Sequence, residues 1–232
     1  MENIDLEIEK FANKKQARNL QRFFKTGKGE YGEGDIFLGL TMGENRLLSK
    51  KYNGLDRKDI QKLLDSQIHE KRMIALLILI EQYRGVNEKE KKEIFRFYIS
   101  NTKNINNWDL VDVTCHKIVG DFLLNRNRDL LYQFVESDDL WERRIAIISC
   151  AAFIRNNDFK DCLRISKILL KDKHDLIHKA VGWMLREVGK RDEAVLNNFL
   201  KENYKNMPRT MLRYSIERFE EGKRLEWLRG KI

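Results

Sequence analysis

Apolar residues recur with a helical period along most of the chain, and no stretch shows the strict alternation that is typical of a strand. From residue 55 onward, connections of two to six residues separate the periodic segments, as between antiparallel helical neighbours. We expect helices close to residues 56–66, 70–84, 88–99, 107–124, 128–136, 139–156, 158–170, 174–189, 191–203 and 208–220. The pattern therefore predicts an all-α fold.

The first 54 residues depart from this regular pattern. Residues 1–26 carry apolar side chains at helical spacing with lysines and arginines between them, which predicts one basic helix. Residues 27–35 are rich in glycine, but they lack the Walker pattern and contain three acidic side chains that would repel a phosphate. We interpret them as a structured connector, after which Glu44 to Tyr52 should return to helix.

A weak repeat relates the helices that follow. At four positions, a basic residue lies at the beginning of an apolar helical segment: Arg72, Arg144, Lys179 and Arg213. The intervals between these positions are 72, 35 and 34 residues. The first interval holds two units of 36 residues, and its midpoint is Trp108. A period near 35 with two helices per unit is typical of an α-solenoid, in which each unit buries its apolar face against its neighbours. We therefore predict a curved α-solenoid whose second helices line one inner surface.

A chain of 232 residues suits one large domain or two small ones, and we expect this array to form one domain over residues 1–232. In this division, residues 1–54 are an N-terminal helical cap with the Gly-rich loop. Residues 55–220 are stacked helix pairs, and residues 221–232 are a C-terminal tail.

The charge of the chain suggests what the inner surface binds. A net charge of +9 and a pI near 9.4 indicate a polyanionic partner, of which nucleic acid is the commonest. The repeat places its four cations and Trp108 at equivalent positions, where cationic side chains can follow a phosphate backbone. The alternative is that these cations only pair with acidic neighbours such as Glu70, Glu142 and Asp175.

Two tryptophans and one carboxylate are candidates for chemistry. Trp108 and Asp112 are four residues apart, so they share a helix face, at the edge of an apolar stripe. This pair can line a groove, and the alternative is a packing Trp beside a solvated or capping Asp. Trp183 follows Lys179 by the same offset of four residues and can face the same groove, although a core position remains open for it.

Other kinds of site find little support in the sequence. His174 and His178 are four residues apart, but no cysteine or carboxylate pair of familiar ligand spacing lies nearby, so we expect no metal and no other cofactor. The cysteines lack a CxxC spacing and are expected to be reduced core residues: Cys115, Cys150 and Cys162. Without a signal peptide or a membrane-spanning run, we expect a cytoplasmic monomer.

Three separated segments resemble the bacterial DNA alkylation-repair glycosylases built from HEAT-like repeats, the AlkD type. They are residues 107–112 (NWDLVD), 140–146 (LWERRIA) and 179–187 (KAVGWMLRE), which stand in the order of the family. The resemblance extends to residues 24–27 and 32–39, so it covers nearly the whole chain.

The resemblance implies an activity and a set of site residues. The activity is hydrolysis of the N-glycosidic bond of cationic alkylated purines, such as 3-methyladenine and 7-methylguanine, in double-stranded DNA. Asp112, Trp108 and Trp183 would surround the deoxyribose of the lesion, and Arg144 would grip the backbone. The repeat adds Arg72, Lys179 and Arg213 as cations that we expect to bind DNA.

The sequence departs from the family pattern at the outer edge of the site. A family member has Tyr where Phe23 or Phe24 stands here, and Pro where Gly43 stands. A non-catalytic HEAT-repeat protein that recognises distorted or branched DNA is the alternative function, and loss of the Trp108–Asp112 pair would have marked it. An acidic or uncharged inner surface would instead have favoured a protein-binding scaffold.

Overall fold

Helices make up most of residues 2–231, the part of the chain described by this computed structural model. The backbone forms no strand in that range, and one isolated parallel β-bridge joins Ile36 to Ile68. The predicted all-α class is confirmed. No helix within these residues is both long and apolar enough to cross a membrane.

The helices are bounded as follows: α1 (Glu2–Lys10), α2 (Lys14–Phe23), α3 (Met42–Lys51), α4 (Arg57–Leu64), α5 (His69–Tyr83), α6 (Glu88–Ser100), α7 (Trp108–Cys115), α8 (Asp121–Leu123), α9 (Asp129–Val135), α10 (Leu140–Arg155), α11 (Lys160–Ile168), α12 (Asp175–Arg191), α13 (Glu193–Asn203), α14 (Arg209–Ser215) and α15 (Glu221–Arg229). A π-helical turn, His116–Gly120, joins α7 to α8. Short 3₁₀ turns lie at Thr102–Asn104, Leu169–Lys171 and Tyr204–Asn206.

The internal contacts divide the chain into two compact units, Met1–Thr114 and Cys115–Ile232. The single domain over residues 1–232 stays a prediction. In the first unit, α5 packs against α3, α4 and α6. Its side chains from Met73 to Ile80 are all buried, which suits a helix surrounded by others. The hydrophobic core of this unit is therefore built around α5.

The N-terminal end of α5 holds the Gly-rich connector in place. The buried carboxylate of Glu70 accepts hydrogen bonds from the backbone N–H groups of Leu38, Gly39 and Leu40, at 3.1, 2.8 and 3.2 Å. Gly39 has a positive φ of 95°, and a Cβ there would lie 2.2 Å from the carbonyl oxygen of Asn13. The connector is thus ordered by specific contacts, as the sequence predicts, and only glycine fits at its closest approach to α2.

The second unit is a stack of helix pairs. In it α10 packs against α12, and α12 packs against α14. Helix α9 packs against α10, α11 packs against α10 and α12, and α13 packs against α12. Gly182 permits the close approach of α12 and α14, since a Cβ there would lie 2.6 Å from the carbonyl oxygen of Met211. Stacked pairs with this period are typical of an α-solenoid.

Two elements differ from the sequence-based expectation. The segment predicted as one helix contains two, α1 and α2, because the side chain of Asn13 accepts hydrogen bonds from the backbone of Lys15 and Gln16 and so begins α2. The expected C-terminal tail contains α15, whose Trp227 is buried. The helix predicted over residues 208–220 ends at Ser215, five residues early, and the other boundaries agree with the prediction within about two residues.

Candidate functional site

The candidate site residues of the first unit lie at the start of α7. Trp108 is the first residue of this helix and Asp112 lies one turn later, and both side chains are partly exposed. Leu110, Val111 and Cys115 are fully buried and anchor the opposite side of the helix. The predicted placement of Trp108 and Asp112 at the edge of the apolar face is therefore observed.

An aromatic cluster supports the indole of Trp108. Its ring stacks on Phe24, with centroids 5.1 Å apart and planes inclined by 18°. Phe23 meets the indole edge-on at 5.8 Å, and its side chain is 63% exposed. Stacking and edge-on contacts of this kind fix the orientation of a ring. The departure at Phe23 and Phe24 noted in the sequence thus places two phenyl rings directly beside Trp108.

A buried chain of charged side chains holds the beginning of α7. Nδ1 of His69 lies 3.0 Å from a carboxylate oxygen of Asp35, and Nε2 lies 2.8 Å from a carboxylate oxygen of Asp109. Asp109 is the residue after Trp108, so this chain joins the connector, α5 and α7. Both imidazole nitrogens meet carboxylates, which requires the doubly protonated ring.

The two carboxylates change the titration of His69. Burial alone would lower the pKa of His69, but the charges and hydrogen bonds of Asp109 and Asp35 outweigh it and raise the pKa to about 9. Burial opposes ionisation of Asp35 as well, yet His69 and Arg72 lower the pKa of this carboxyl. His69 is therefore an imidazolium at neutral pH, and it stacks on Phe37 at 4.5 Å.

Arg72 belongs to the same buried network, which corrects its assignment to the DNA-binding surface. Its guanidinium donates to Asp35 at 2.5 Å and to the carbonyl oxygen of Ser66 at 2.8 Å. The side chain is 4% exposed, so it has almost no surface to offer a phosphate. Asn107, also buried, donates to Asp35 at 3.1 Å. We do not carry Arg72 into the proposed DNA-binding set.

The second unit holds the other aromatic candidate. Trp183 lies on α12 with a partly exposed indole, whose N–H donates to Glu187 at 3.2 Å. Glu187 also pairs with Lys190 at 2.7 Å. Trp183 therefore does not occupy a fully buried core position, which was the alternative. By contrast, Trp141 and Trp227 are buried.

The three remaining predicted cations of the second unit have different surroundings. Arg144 is 5% exposed, and its guanidinium donates to the backbone carbonyl of Leu176. Lys179 pairs with Asp175 at 2.7 Å, the local pairing that was the alternative to a groove. Arg213 is exposed on α14. Of the three, Arg213 offers the most accessible charge.

The remaining histidines and the cysteines have local structural roles. Nδ1 of His174 accepts a hydrogen bond from the backbone of Leu176 at the start of α12, and a ring nitrogen of His178 lies 2.6 Å from the carbonyl oxygen of Asp172. The three cysteines are buried and unpaired as disulfides. In the described part of the chain, no group of three or more His, Cys, Asp or Glu side chains is arranged to hold a metal ion.

Sequence reasoning missed the network around His69. Its partners Asp35 and Asp109 are 34 and 40 residues away, and no motif connects them. The sequence offered one indication of these partners, which is their location: Asp35 ends the Gly-rich connector, and Asp109 lies inside the motif that contains Trp108. Periodicity alone assigns each of these residues to its own helix or loop.

Comparisons with known proteins identify the fold and the family of this chain. A solved structure of a predicted DNA alkylation repair enzyme from Enterococcus faecalis superimposes with a TM-score of 0.70 over 90% of this chain and 97% of that chain, at 16% sequence identity. At this identity, the likeness shows a shared fold. A comparison with curated proteins finds no match. The family model for DNA alkylation repair enzymes matches residues 4–219, so the chain belongs to the DNA alkylation repair enzyme family.

Proposed function

We propose that this chain is a DNA glycosylase of the AlkD-type HEAT-like group. It would hydrolyse the N-glycosidic bond of cationic alkylated purines in double-stranded DNA, the opening step of base excision repair. The observation that carries the proposal is the pair of Trp108 and Asp112, one helical turn apart and both partly exposed, beside rings that brace the indole.

The chemistry of the lesion explains why these residue types suffice. Alkylation at N3 or N7 gives the purine a positive charge, so the base leaves as a neutral molecule that takes the electron pair of the glycosidic bond. Positive charge then develops on the deoxyribose, as in other glycoside hydrolyses. The carboxylate of Asp112 stabilises that charge and orients the water that attacks the anomeric carbon. The proton of that water passes to solvent.

Trp108 contributes in two ways to this mechanism. Its electron-rich face attracts the cationic base and the developing charge on the sugar, an interaction on the order of 1 kcal/mol when partly desolvated. The stack on Phe24 holds the ring in place before DNA binds, so no side-chain entropy is lost on binding. No metal or organic cofactor takes part in these steps.

For the second unit, the proposal rests on residue types and exposure. Trp183 has a partly exposed indole, and we propose that it contacts the sugar and the cationic base of the lesion. Lys179 and Arg213 supply positive charge for the phosphate backbone. The role of Arg144 rests on the family resemblance, since its side chain is almost as buried as that of Arg72. Release of Lys179 from Asp175 would accompany its contact with a phosphate, because the two charges pair in the free protein.

The test is the variant Asp112→Asn. The amide keeps the shape of the side chain but carries no charge, so single-turnover release of 7-methylguanine from duplex DNA should fall on the order of 100-fold or more. DNA affinity and the far-ultraviolet circular dichroism spectrum should stay unchanged. A wild-type excision rate in this variant would remove Asp112 from the mechanism.

A matched substitution controls for the loss of a carboxylate in general. Asp129 is exposed and accepts a hydrogen bond from Asn127 at 2.9 Å, which an amide oxygen can also accept. Asp129→Asn should excise 7-methylguanine at the wild-type rate. An equal loss in both variants would point to a general effect of net charge.

A further inference from the structure

One helix face carries an unusual concentration of positive charge. Residues 10–29 form the longest run of the sequence without Asp or Glu, and they contain seven lysines and arginines. The helix α2 lies within this run. Six of the seven are exposed and form no salt bridge among the described residues: Lys14, Lys15, Arg18, Arg22, Lys25 and Lys28. We call the first five, which lie on α2 or within two residues of its end, the α2 stripe.

The geometry of α2 places the stripe on the side away from the core. Lys14, Arg18 and Arg22 are spaced by four residues, so they follow one another along a single face. Ala17 and Leu20, on the other side of the helix, pack into the aromatic cluster with Phe24 and Phe37. The cations thus point to solvent for structural reasons.

Two of these positive charges lie at the N-terminal end of α2, where they destabilise the helix. Lys14 and Lys15 lie in the first turn of α2, which contains no acidic residue. The helix dipole is positive at this end and disfavours cations there. Arg18 and Arg22 contact only neutral oxygens, the carbonyl of Lys14 at 3.3 Å and the side chain of Asn19 at 3.1 Å. A polyanion would compensate this unneutralised charge.

The stripe leads to the candidate site. Phe23 ends α2, directly after Arg22, and its ring lies 5.8 Å from the indole of Trp108. A DNA strand that places a lesion at Trp108 would therefore run along α2 on one side of that lesion. From Lys14 to Arg22, eight steps along the helix, the axis rises by about 12 Å, enough for more than one phosphate.

We infer that the α2 stripe is a phosphate-binding surface for the duplex that flanks the lesion, in addition to the cations of the repeat. This inference rests on the proposed function for its partner, double-stranded DNA. It assigns a binding role to a helix outside the regular helix pairs. It also predicts that a measurable share of the salt dependence of DNA binding comes from these side chains.

The experiment measures the affinity of the full chain for an unmodified duplex at several salt concentrations. In the triple variant Lys14→Gln, Arg18→Gln, Arg22→Gln, the slope of log K against log salt should become shallower by about 2.7, since each lost phosphate contact removes about 0.9. The exposed positions make loss of the fold unexpected, and circular dichroism checks it.

The matched control lies on α6 of the same unit. Lys89, Lys92 and Arg96 are also exposed at helical spacing, but they alternate with Glu88, Glu90 and Glu93. The triple variant Lys89→Gln, Lys92→Gln, Arg96→Gln removes the same charge and should leave the slope unchanged. An equal change in both variants would overturn the inference, because net charge alone would explain it.

The remaining outcomes separate this inference from the proposed function. DNA binding by the wild-type chain with an unchanged slope in the α2 variant would overturn the inference alone. A shallower slope in the α2 variant without release of any alkylated base would support the inference and contradict the glycosylase proposal. Absence of DNA binding by the wild-type chain would overturn both.

Discussion

At the scale of single residues, buried charges determine how the first turn of α7 is held. His69 connects Asp35 of the connector with Asp109 of α7, and the imidazolium between two carboxylates balances charges that would otherwise be costly to bury. Arg72 adds a second cation beside Asp35. Since Asp109 follows Trp108 directly, this network fixes the backbone from which Trp108 and Asp112 project.

The pKa of His69 makes this contribution dependent on pH. Because the folded protein raises the pKa to about 9, above the value near 6.5 in the unfolded chain, the stabilisation is complete below about pH 6.5 and is lost as the pH rises through 9. The shift corresponds to about 3 kcal/mol in the free energy of unfolding. Urea unfolding of the wild-type chain at pH 7 and pH 10 measures this loss.

The variant His69→Gln isolates this effect from other groups that titrate in the same range. The amide carries no titrating proton, so the variant should be less stable at pH 7 by about 3 kcal/mol and should lose less stability between pH 7 and pH 10. Parallel stability curves for the two proteins over this range would show that His69 is not the titrating group.

This residue-level arrangement lies beyond what the sequence can predict. Helical periodicity placed Trp108 and Asp112 at the edge of a core face, which the structure confirms. It also assigned Arg72 to the DNA-binding surface, because position in a repeat does not show that the carboxylate of Asp35 approaches from another part of the chain. Asp35 is 37 residues from Arg72, and the Gly-rich connector that brings it there has no periodicity to extrapolate.

At the scale of elements, close approaches between helices depend on single glycines. Gly182 of α12 faces α14, where a Cβ would lie 2.5 Å from the Cβ of Tyr214 and 2.6 Å from the carbonyl oxygen of Met211. Gly182→Ala should therefore force the helices apart and lower the free energy of unfolding by about 1–3 kcal/mol. The denaturation midpoint in urea measures this change.

Gly43 provides the matched control on α3. It is exposed, and a Cβ there would lie 3.7 Å from the hydroxyl oxygen of Thr41, an ordinary contact. Gly43→Ala should leave the stability unchanged or raise it by up to about 1 kcal/mol, because Ala restricts the unfolded chain. A Gly182→Ala variant as stable as Gly43→Ala would mean that α12 and α14 adjust to the extra methyl group.

Elements were predicted well where the apolar period was uninterrupted, as in α10 and α12. The missed features have local causes. Asn13 separates α1 from α2 through two hydrogen bonds to the next turn. Helix α15 buries only Trp227 among its described residues, so its periodic signal is weak.

At the scale of the whole molecule, the choice of lesion follows from the proposed mechanism, which uses no general acid. Without protonation of the leaving base, only a purine that already carries a positive charge should leave quickly. We therefore expect excision of 3-methyladenine and 7-methylguanine and little excision of hypoxanthine or uracil. Equal single-turnover rates for 7-methylguanine and hypoxanthine would require an acid that protonates the base.

The net charge of +9 leads to a second prediction for the whole chain. We expect it to bind duplex DNA with an affinity that falls steeply as the salt concentration rises. Unchanged affinity between 50 and 200 mM salt, a range in which phosphate-binding proteins lose several orders of magnitude, would contradict this. Binding alone, however, does not distinguish a glycosylase from a protein that only recognises distorted DNA.

The most direct test of the glycosylase proposal is release of free base from methylated duplex DNA by the purified protein. Chromatography of the soluble fraction should show 3-methyladenine and 7-methylguanine that increase with protein concentration above the spontaneous rate. The DNA should retain abasic sites in equal number. Methylated DNA that is bound by the protein but releases no base above the spontaneous rate would contradict the proposal and favour a non-catalytic DNA-binding function.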